Sequence, residues 1–161
     1  MKDKLKISFL ILFGLFVSAC KNVNQCSSVP AHPVFIQLNI LVDEYWHLNS
    51  PFENAYFTER NMPIGVESVG YGGVLIITFL DNGLQYAAFD MTCPYEMNEN
   101  VRVFPVNGFS AECPTCGSRF DLSNGLGILA KGPATEHLRR LNIQRVHRHS
   151  VPFLIVTQRY C

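Results

Sequence analysis

The chain is short of the signals that mark most enzymes and nucleic-acid binders. It has no P-loop, no dinucleotide fingerprint and no Ser/His/Asp arrangement at a usable spacing. It has no basic cluster and no RNP-like aromatic motif, which argues against a nucleic-acid partner. There is no long amphipathic helix and no βαβ pattern, so a thioredoxin-like scaffold, in which a helix N-terminus activates a dithiol, is not expected. A second CxxC or an HxxxH, the usual companion of one CxxC in a zinc site, is missing as well. No small-molecule substrate and no catalytic centre of its own are indicated.

One apolar run stands out, from Ile7 to Val17, and it is too short for a comfortable membrane span. Lys2, Lys4 and Lys6 precede it and Ser18-Ala19-Cys20 follow it, the order of a secretory signal over residues 1–19. Val17-Ser18-Ala19-Cys20 resembles a bacterial lipobox, which implies cleavage before Cys20 and lipid attachment to it. Acyl chains on one cysteine hold a protein to a bilayer durably, each buried methylene contributing about 0.8 kcal/mol. The expected location is the bacterial cell envelope, at the outer membrane, with the domain outside the cytoplasm. With Lys2, Lys4, Lys6 and Asp3 removed, the 13 basic and 13 acidic residues become 10 and 12, a net of −2. Residues 20–33 continue as the lipidated cysteine and a polar tether with two prolines, and residues 34–161 suffice for one domain.

Within that domain Val34, Ile36, Leu38 and Ile40 alternate with their neighbours, the period of a half-buried strand. Ala55 to Thr58 is a second candidate, and Val74 to Leu80 is too β-branched to favour helix. Asp81-Asn82-Gly83 is a turn from which Leu84 to Asp90 returns as a hairpin partner. Val101 to Val106 and Phe109 to Glu112 repeat the device around Asn107-Gly108, and Leu138 to His147 with Val151 to Gln158 form a last pair. The pattern predicts about seven to nine short strands in an all-β domain, a small sandwich or partly open barrel.

Two cysteine motifs leave the ends of predicted hairpins: Cys93-Pro94-Tyr95-Glu96 after Asp90, and Cys113-Pro114-Thr115-Cys116 after Glu112. Each proline stiffens its loop and removes an amide donor, and Gly117 permits a turn that a side chain would obstruct. Such loops on adjacent hairpins can bring three sulfurs to one point. Residues of this type allow several outcomes: a metal or iron–sulfur site, a dithiol redox pair, or a disulfide.

The paired motifs resemble those of a Rieske domain, the all-β module that holds a [2Fe–2S] cluster between two loops. The family signature is CxH, about 15 to 17 residues, then CxxH. Here Cys93-Pro94-Tyr95 is followed by 17 residues and then Cys113-Pro114-Thr115-Cys116, so the spacing fits and both histidine positions are changed. Gly117-Ser118-Arg119-Phe120-Asp121 is similar to the GSxFD continuation, Asn124-Gly125 to the turn after it, and Gly132-Pro133-Ala134 to the proline loop. More narrowly, CPYE with CPxCGSxFD is similar to Rieske-like lipoproteins of Bacteroidetes-type bacteria. The resemblance implies a Rieske-like fold, metal ligation by Cys93, Cys113 and Cys116, and electron transfer with a redox protein partner. Cys116 stands where one histidine would and Tyr95 where the other would. Thiolate in place of imidazole adds negative charge and lowers the expected reduction potential.

The fourth ligand is open among Tyr95, Glu96 and His137. A phenol must lose its proton to ligate well, and Glu96 supplies an oxygen only if the loop turns differently from the family's. The alternative is a cluster-free domain, acting as a binding or structural lipoprotein, in which Cys93 forms a disulfide with Cys113 or with Cys116, a bond that typically contributes about 2 to 4 kcal/mol outside the cytoplasm. Asn98 and Thr115 stand where some respiratory relatives carry a second disulfide, so that bridge is absent. His147 and His149 are expected to share one solvated face, and His32 and His47 to serve tether and packing. Cys26 and Cys161 are candidates for unspecified pairing. Met91, Met97 and Phe104 are candidates for an exposed apolar docking surface around the loops.

Overall fold

The computed structural model describes residues 27–42 and 44–159. The leader over 1–19, Cys20, Cys26 and Cys161 lie outside the described residues. The fold is all-β, with no α-helix among the described residues and a single 3-10 turn at Trp46–Asn49. Among the described residues eleven strands form rather than seven to nine: β1 Val34–Asn39, β2 Asn54–Phe57, β3 Val66–Val69, β4 Val74–Leu80, β5 Leu84–Asp90, β6 Phe104–Asn107, β7 Ser110–Glu112, β8 Arg119–Asp121, β9 Ile128–Lys131, β10 Arg140–Arg148 and β11 Val151–Thr157. Of these, β3, β8 and β9 went unanticipated. Three or four residues are too few to display a period.

Seven strands, in the order β2-β4-β5-β10-β11-β1-β3, make a sheet that curls into a nearly closed, barrel-like form. A second, four-stranded sheet runs β6-β7-β8-β9. In β1, Val34, Ile36 and Leu38 point inward as the alternation requires, and they join Ile76, Ala88, Leu154 and Val156 in the core of the larger sheet. The neighbours of Ile76 and Ala88 in sequence face the other way. Leu75, Ile77, Ala87 and Phe89 build a second core with Ala111, Phe120, Leu122 and the side chains of Cys93 and Cys113. The run in β4 is therefore apolar on both faces because both faces are covered, one by the rest of its own sheet and the other by the second layer.

Hairpin geometry follows the turn residues. Asn82 (φ 50°) and Gly83 (φ 127°) turn β4 into β5, and the register runs from Leu80 opposite Leu84 to Val74 opposite Asp90. His149 (φ 49°) and Ser150 (φ 67°) form the two-residue turn between β10 and β11, so His149 is in the turn while His147 pairs with Pro152 in the strands. The expectation that the two histidines share a strand face is corrected accordingly. Val101 to Val103 also depart from expectation. They pair with the root of the first cysteine loop, Cys93 N to Val101 O at 3.0 Å and Val103 N to Met91 O at 2.7 Å, and the strand of the second sheet begins only at Phe104.

Contacts with the body start upstream of β1. Val29 is buried, and its carbonyl accepts a hydrogen bond from the guanidinium of buried Arg139. Ser28 N donates to Glu136 Oε2 at 2.9 Å. The two layers are joined at the surface by ring contacts, Tyr56 on Phe104 and Phe52 on Phe109 at centroid separations of 5.9 and 4.6 Å.

Phe120 lies at the seam of the two sheets and is fully buried. Its replacement by alanine is expected to cost about 3–5 kcal/mol of unfolding free energy, measured by urea titration followed by far-UV circular dichroism.

Candidate metal centre

The first cysteine loop rises from a fixed root. Asp90 ends β5 as a buried residue, and its carboxylate accepts from Thr92 N at 2.8 Å and Thr92 Oγ1 at 2.6 Å. Burial pushes its pKa up, and hydrogen bonds from Thr92 and from the amides of Tyr71 and Gly72 oppose the rise. An isolated bridge pairs Thr92 with Arg102, whose Nε donates to Gly72 O. From that root, Cys93 O accepts from Met97 N at 3.0 Å, closing a tight turn over Pro94-Tyr95-Glu96.

The second loop is the β7–β8 connection. Cys113 N donates to Ser118 O and Gly117 N to Cys113 O, both at 2.9 Å. Gly117 adopts φ 71°, a left-handed conformation that glycine takes without cost, and no atom would obstruct a side chain there. Glu112 and Arg119, directly opposite each other across the root, form an ion pair at 3.4 Å. A third segment supports this loop. A Cβ at Gly132 would lie 2.5 Å from Ser118 Cα, and Ala134 N donates to Ser118 Oγ at 3.1 Å. Only glycine lets the chain after β9 come that close.

Cys93, Cys113 and Cys116 are free thiols whose sulfurs all lie within 4.8 Å of one another. Cys93 and Cys113 are fully buried, and Cys116 is half-buried. Cys93 Sγ and Cys116 Sγ are 3.6 Å apart, and Cys116 Sγ is 3.1 Å from Ser118 Oγ. Burial pushes the Cys93 thiol up to about 12, against hydrogen bonds from the Glu96 and Tyr95 amides. Burial acts the same way on Cys116, but the Ser118 hydroxyl and amide, together with the neighbouring thiols, outweigh it and hold Cys116 below the ordinary thiol value. Of these two thiols, Cys116 therefore gives up its proton more readily.

This sulfur geometry suits one ion. A tetrahedral metal with metal–sulfur bonds of about 2.3 Å has sulfur–sulfur edges of about 3.8 Å. The two-iron cluster implied by the sequence resemblance would put Cys93 and Cys113 on one iron and Cys116 on the other, with the bridging sulfides between them. The 3.6 Å approach joins Cys93 to Cys116, the two that such a cluster would separate. That pair sits closer than such an assignment would hold it, and its separation matches one edge of a single tetrahedron.

The other sequence candidates stand apart from the sulfurs. Among the described residues no histidine, aspartate or glutamate joins the three cysteines within 4.8 Å. Tyr95 is 54% exposed. His137 Nδ1 accepts from Leu129 N at 3.1 Å, which occupies one ring nitrogen on the β9–β10 connection. Glu96 is half-buried beside the loop turn. His32 stacks on Tyr71 and His47 Nε2 meets Asn54 O at 3.1 Å. Met91 is fully buried, which corrects its expected place on a docking surface; Met97 and Phe104 are exposed. Thr115 and Asn98 are both exposed and are not cysteines, so no second bridge forms there.

Sequence reasoning passed over Asp90, Thr92 and Ser118, the residues that anchor the loops and tune Cys116. The Asx-type pattern Asp90-Met91-Thr92 ahead of Cys93 was an available signal, since aspartate readily bonds the amide two residues on. Comparison with known families, with curated proteins and with solved structures finds no match for the chain.

In metal-free, reduced protein, iodoacetamide is expected to modify Cys116 first, with a rate inflection below the ordinary thiol value of 9.0, while Cys93 reacts last; peptide mass spectrometry over a pH series reads both. Because the Cys93 value is raised on folding, its contribution to stability is complete below pH 9.0 and is lost as the pH climbs to about 12. Cys116 contributes with the opposite sign, its share present above 9.0 and lost as the pH falls through its lowered value.

Proposed function

We propose that this chain is an envelope-facing lipoprotein domain, related to Rieske modules, that holds a transition metal through Cys93, Cys113 and Cys116. Loaded with iron, it passes single electrons to and from a redox protein partner, and it has no catalytic centre of its own. The observation that carries this reading is the convergence of three thiols from two separately anchored loops within 4.8 Å. Thiolates are strong ligands for iron and zinc, and iron among them supplies a one-electron couple. The protein residues bind and position: Asp90 and Thr92 fix one loop, Ser118 fixes the other, and the Tyr95 and Glu96 amides point at the Cys93 sulfur. The half-buried Cys116 gives an electron a short path to the surface, where Tyr95 and Met97 are exposed. Membrane attachment in this reading comes from a lipid on Cys20. No helix among the described residues is long and apolar enough to cross a membrane.

A second reading is favoured by one observation, the 3.6 Å separation of Cys93 Sγ and Cys116 Sγ. Two-electron oxidation of that pair by a disulfide oxidant, with loss of both thiol protons, would tie the loops together in a metal-free domain. The two readings differ in thiol count and metal content.

Protein purified without oxygen is expected to contain iron or zinc bound by thiolates and to show a ligand-to-metal absorption band in the iron form. Cys113→Ala should lower the bound metal by at least roughly tenfold, a direct ligand counting for no less than the 10–100-fold of an outer partner. Metal-free protein with a Cys93–Cys116 disulfide in unreduced mass spectra would instead establish the second reading. Cys20→Ala is expected to move the protein from the membrane to the soluble fraction on centrifugation.

A further inference from the structure

The two cysteine loops share one backbone turn over five positions, with the same residues at the first two, Pro94 buried and Pro114 exposed. Cys93 and Cys113 are both fully buried. Pro94 and Pro114 follow. Tyr95 and Thr115 are both exposed, and Glu96 and Cys116 are both half-buried. Met97 and Gly117 both take left-handed backbone, φ 51° and 71°. The closing hydrogen bonds match too: Met97 N to Cys93 O at 3.0 Å and Gly117 N to Cys113 O at 2.9 Å. A methionine in that conformation is uncommon, and its presence where the other loop has glycine marks a turn kept for its shape. After these five residues the loops diverge, Cys113 N closing on Ser118 O and Cys93 N on Val101 O.

In the second loop the fourth position of the repeat is a sulfur of the triad, Cys116. In the first loop that position is Glu96. We infer that Glu96 supplies the fourth ligand and that the site takes a single divalent first-row ion of tetrahedral preference, Zn²⁺ or Fe²⁺, held by three sulfurs and one carboxylate oxygen. This inference rests on the metal-binding reading above and deepens it.

Each competing donor is disfavoured by its place. Tyr95 occupies the third position of the repeat, whose counterpart Thr115 also faces solvent. His137 belongs to the β9–β10 connection and spends Nδ1 on the Leu129 amide. The half-buried Glu96 carboxylate stands outside the 4.8 Å sulfur group, and ligation requires a change of rotamer toward the ion. A carboxylate oxygen beside thiolates is within the ordinary ligand set of zinc and iron, with metal–oxygen bonds of about 2.0–2.2 Å. The sulfur spacing supports one ion, since Cys93 and Cys116 approach to 3.6 Å, close to the edge of one tetrahedron.

The test is titration of the reduced, metal-free full chain with Co²⁺, whose thiolate charge-transfer band counts sulfur ligands and whose visible bands report tetrahedral geometry. The wild type is expected to bind one Co²⁺ with three-thiolate intensity and to contain no acid-labile sulfide when isolated. Glu96→Gln should weaken Co²⁺ binding by at least roughly tenfold, as loss of a direct ligand exceeds loss of an outer one. Glu96→Cys should bind Co²⁺ with charge-transfer intensity raised by about one third, four thiolates replacing three. Tyr95→Phe and His137→Asn should bind as the wild type does. Glu96→Gln binding Co²⁺ like the wild type, Glu96→Cys without added intensity, or two metals per chain with acid-labile sulfide would each overturn the inference while leaving a thiolate metal site standing. A wild type that binds no Co²⁺ in the reduced state would overturn the metal-binding reading itself, and this inference with it.

Discussion

Cys93 and Cys113 sit at zero exposure where the barrel-like sheet meets the small sheet, and their sulfurs are part of the same apolar core as Phe89, Phe120 and Leu122. A thiol in such surroundings stays protonated, as the elevated Cys93 value shows. The layers of the protein thus force Cys93 into a place where charge is costly. The loops then supply what lowers that cost: amides aimed at the Cys93 sulfur and a hydroxyl held against Cys116. Everything distinctive about the site follows from this opposition between a dry seam and the polar loop ends lodged in it.

The loop ends are held by contacts that reach across the fold. Asp90 ties the first loop to the turn at Tyr71-Gly72, and Arg102 ties its far side to the same turn. Ser118 joins the second loop to the chain after β9 through Ala134, with Gly132 allowing the close approach. These links leave the sulfurs little room to move apart. Pre-positioned ligands lose less freedom when an ion binds, which favours binding over an open cysteine pair in a mobile loop.

Exposure divides the site in two. Two sulfurs are sealed in the core, and the half-buried Cys116 is the edge that meets solvent. On the first loop Tyr95 and Met97 are exposed. Cys116 is also the thiol that the Ser118 hydroxyl and amide hold below the ordinary value.

Local pattern determined the all-β class and several of its parts. Alternation in Val34 to Ile40 and the turn at Asp81-Asn82-Gly83 specify strand faces and a hairpin with no help from distant residues, because side-chain period and backbone handedness are properties of neighbouring residues. The spacing of CPYE and CPTC likewise marked Cys93, Cys113 and Cys116 as a group. What tertiary structure decided was everything that depends on how two layers meet: the burial of Met91, the short strands β3, β8 and β9 that exist only by pairing, the grip of Ser118 on Ala134, and the close approach of Cys93 to Cys116. The correspondence between Glu96 and Cys116 also needed coordinates, since one loop turns at a methionine and the other at a glycine, and the shared left-handed φ and closing hydrogen bond reveal them as the same turn. A sequence records the preferences of each segment; the distance between two segments is set by the volume and packing of the side chains between them.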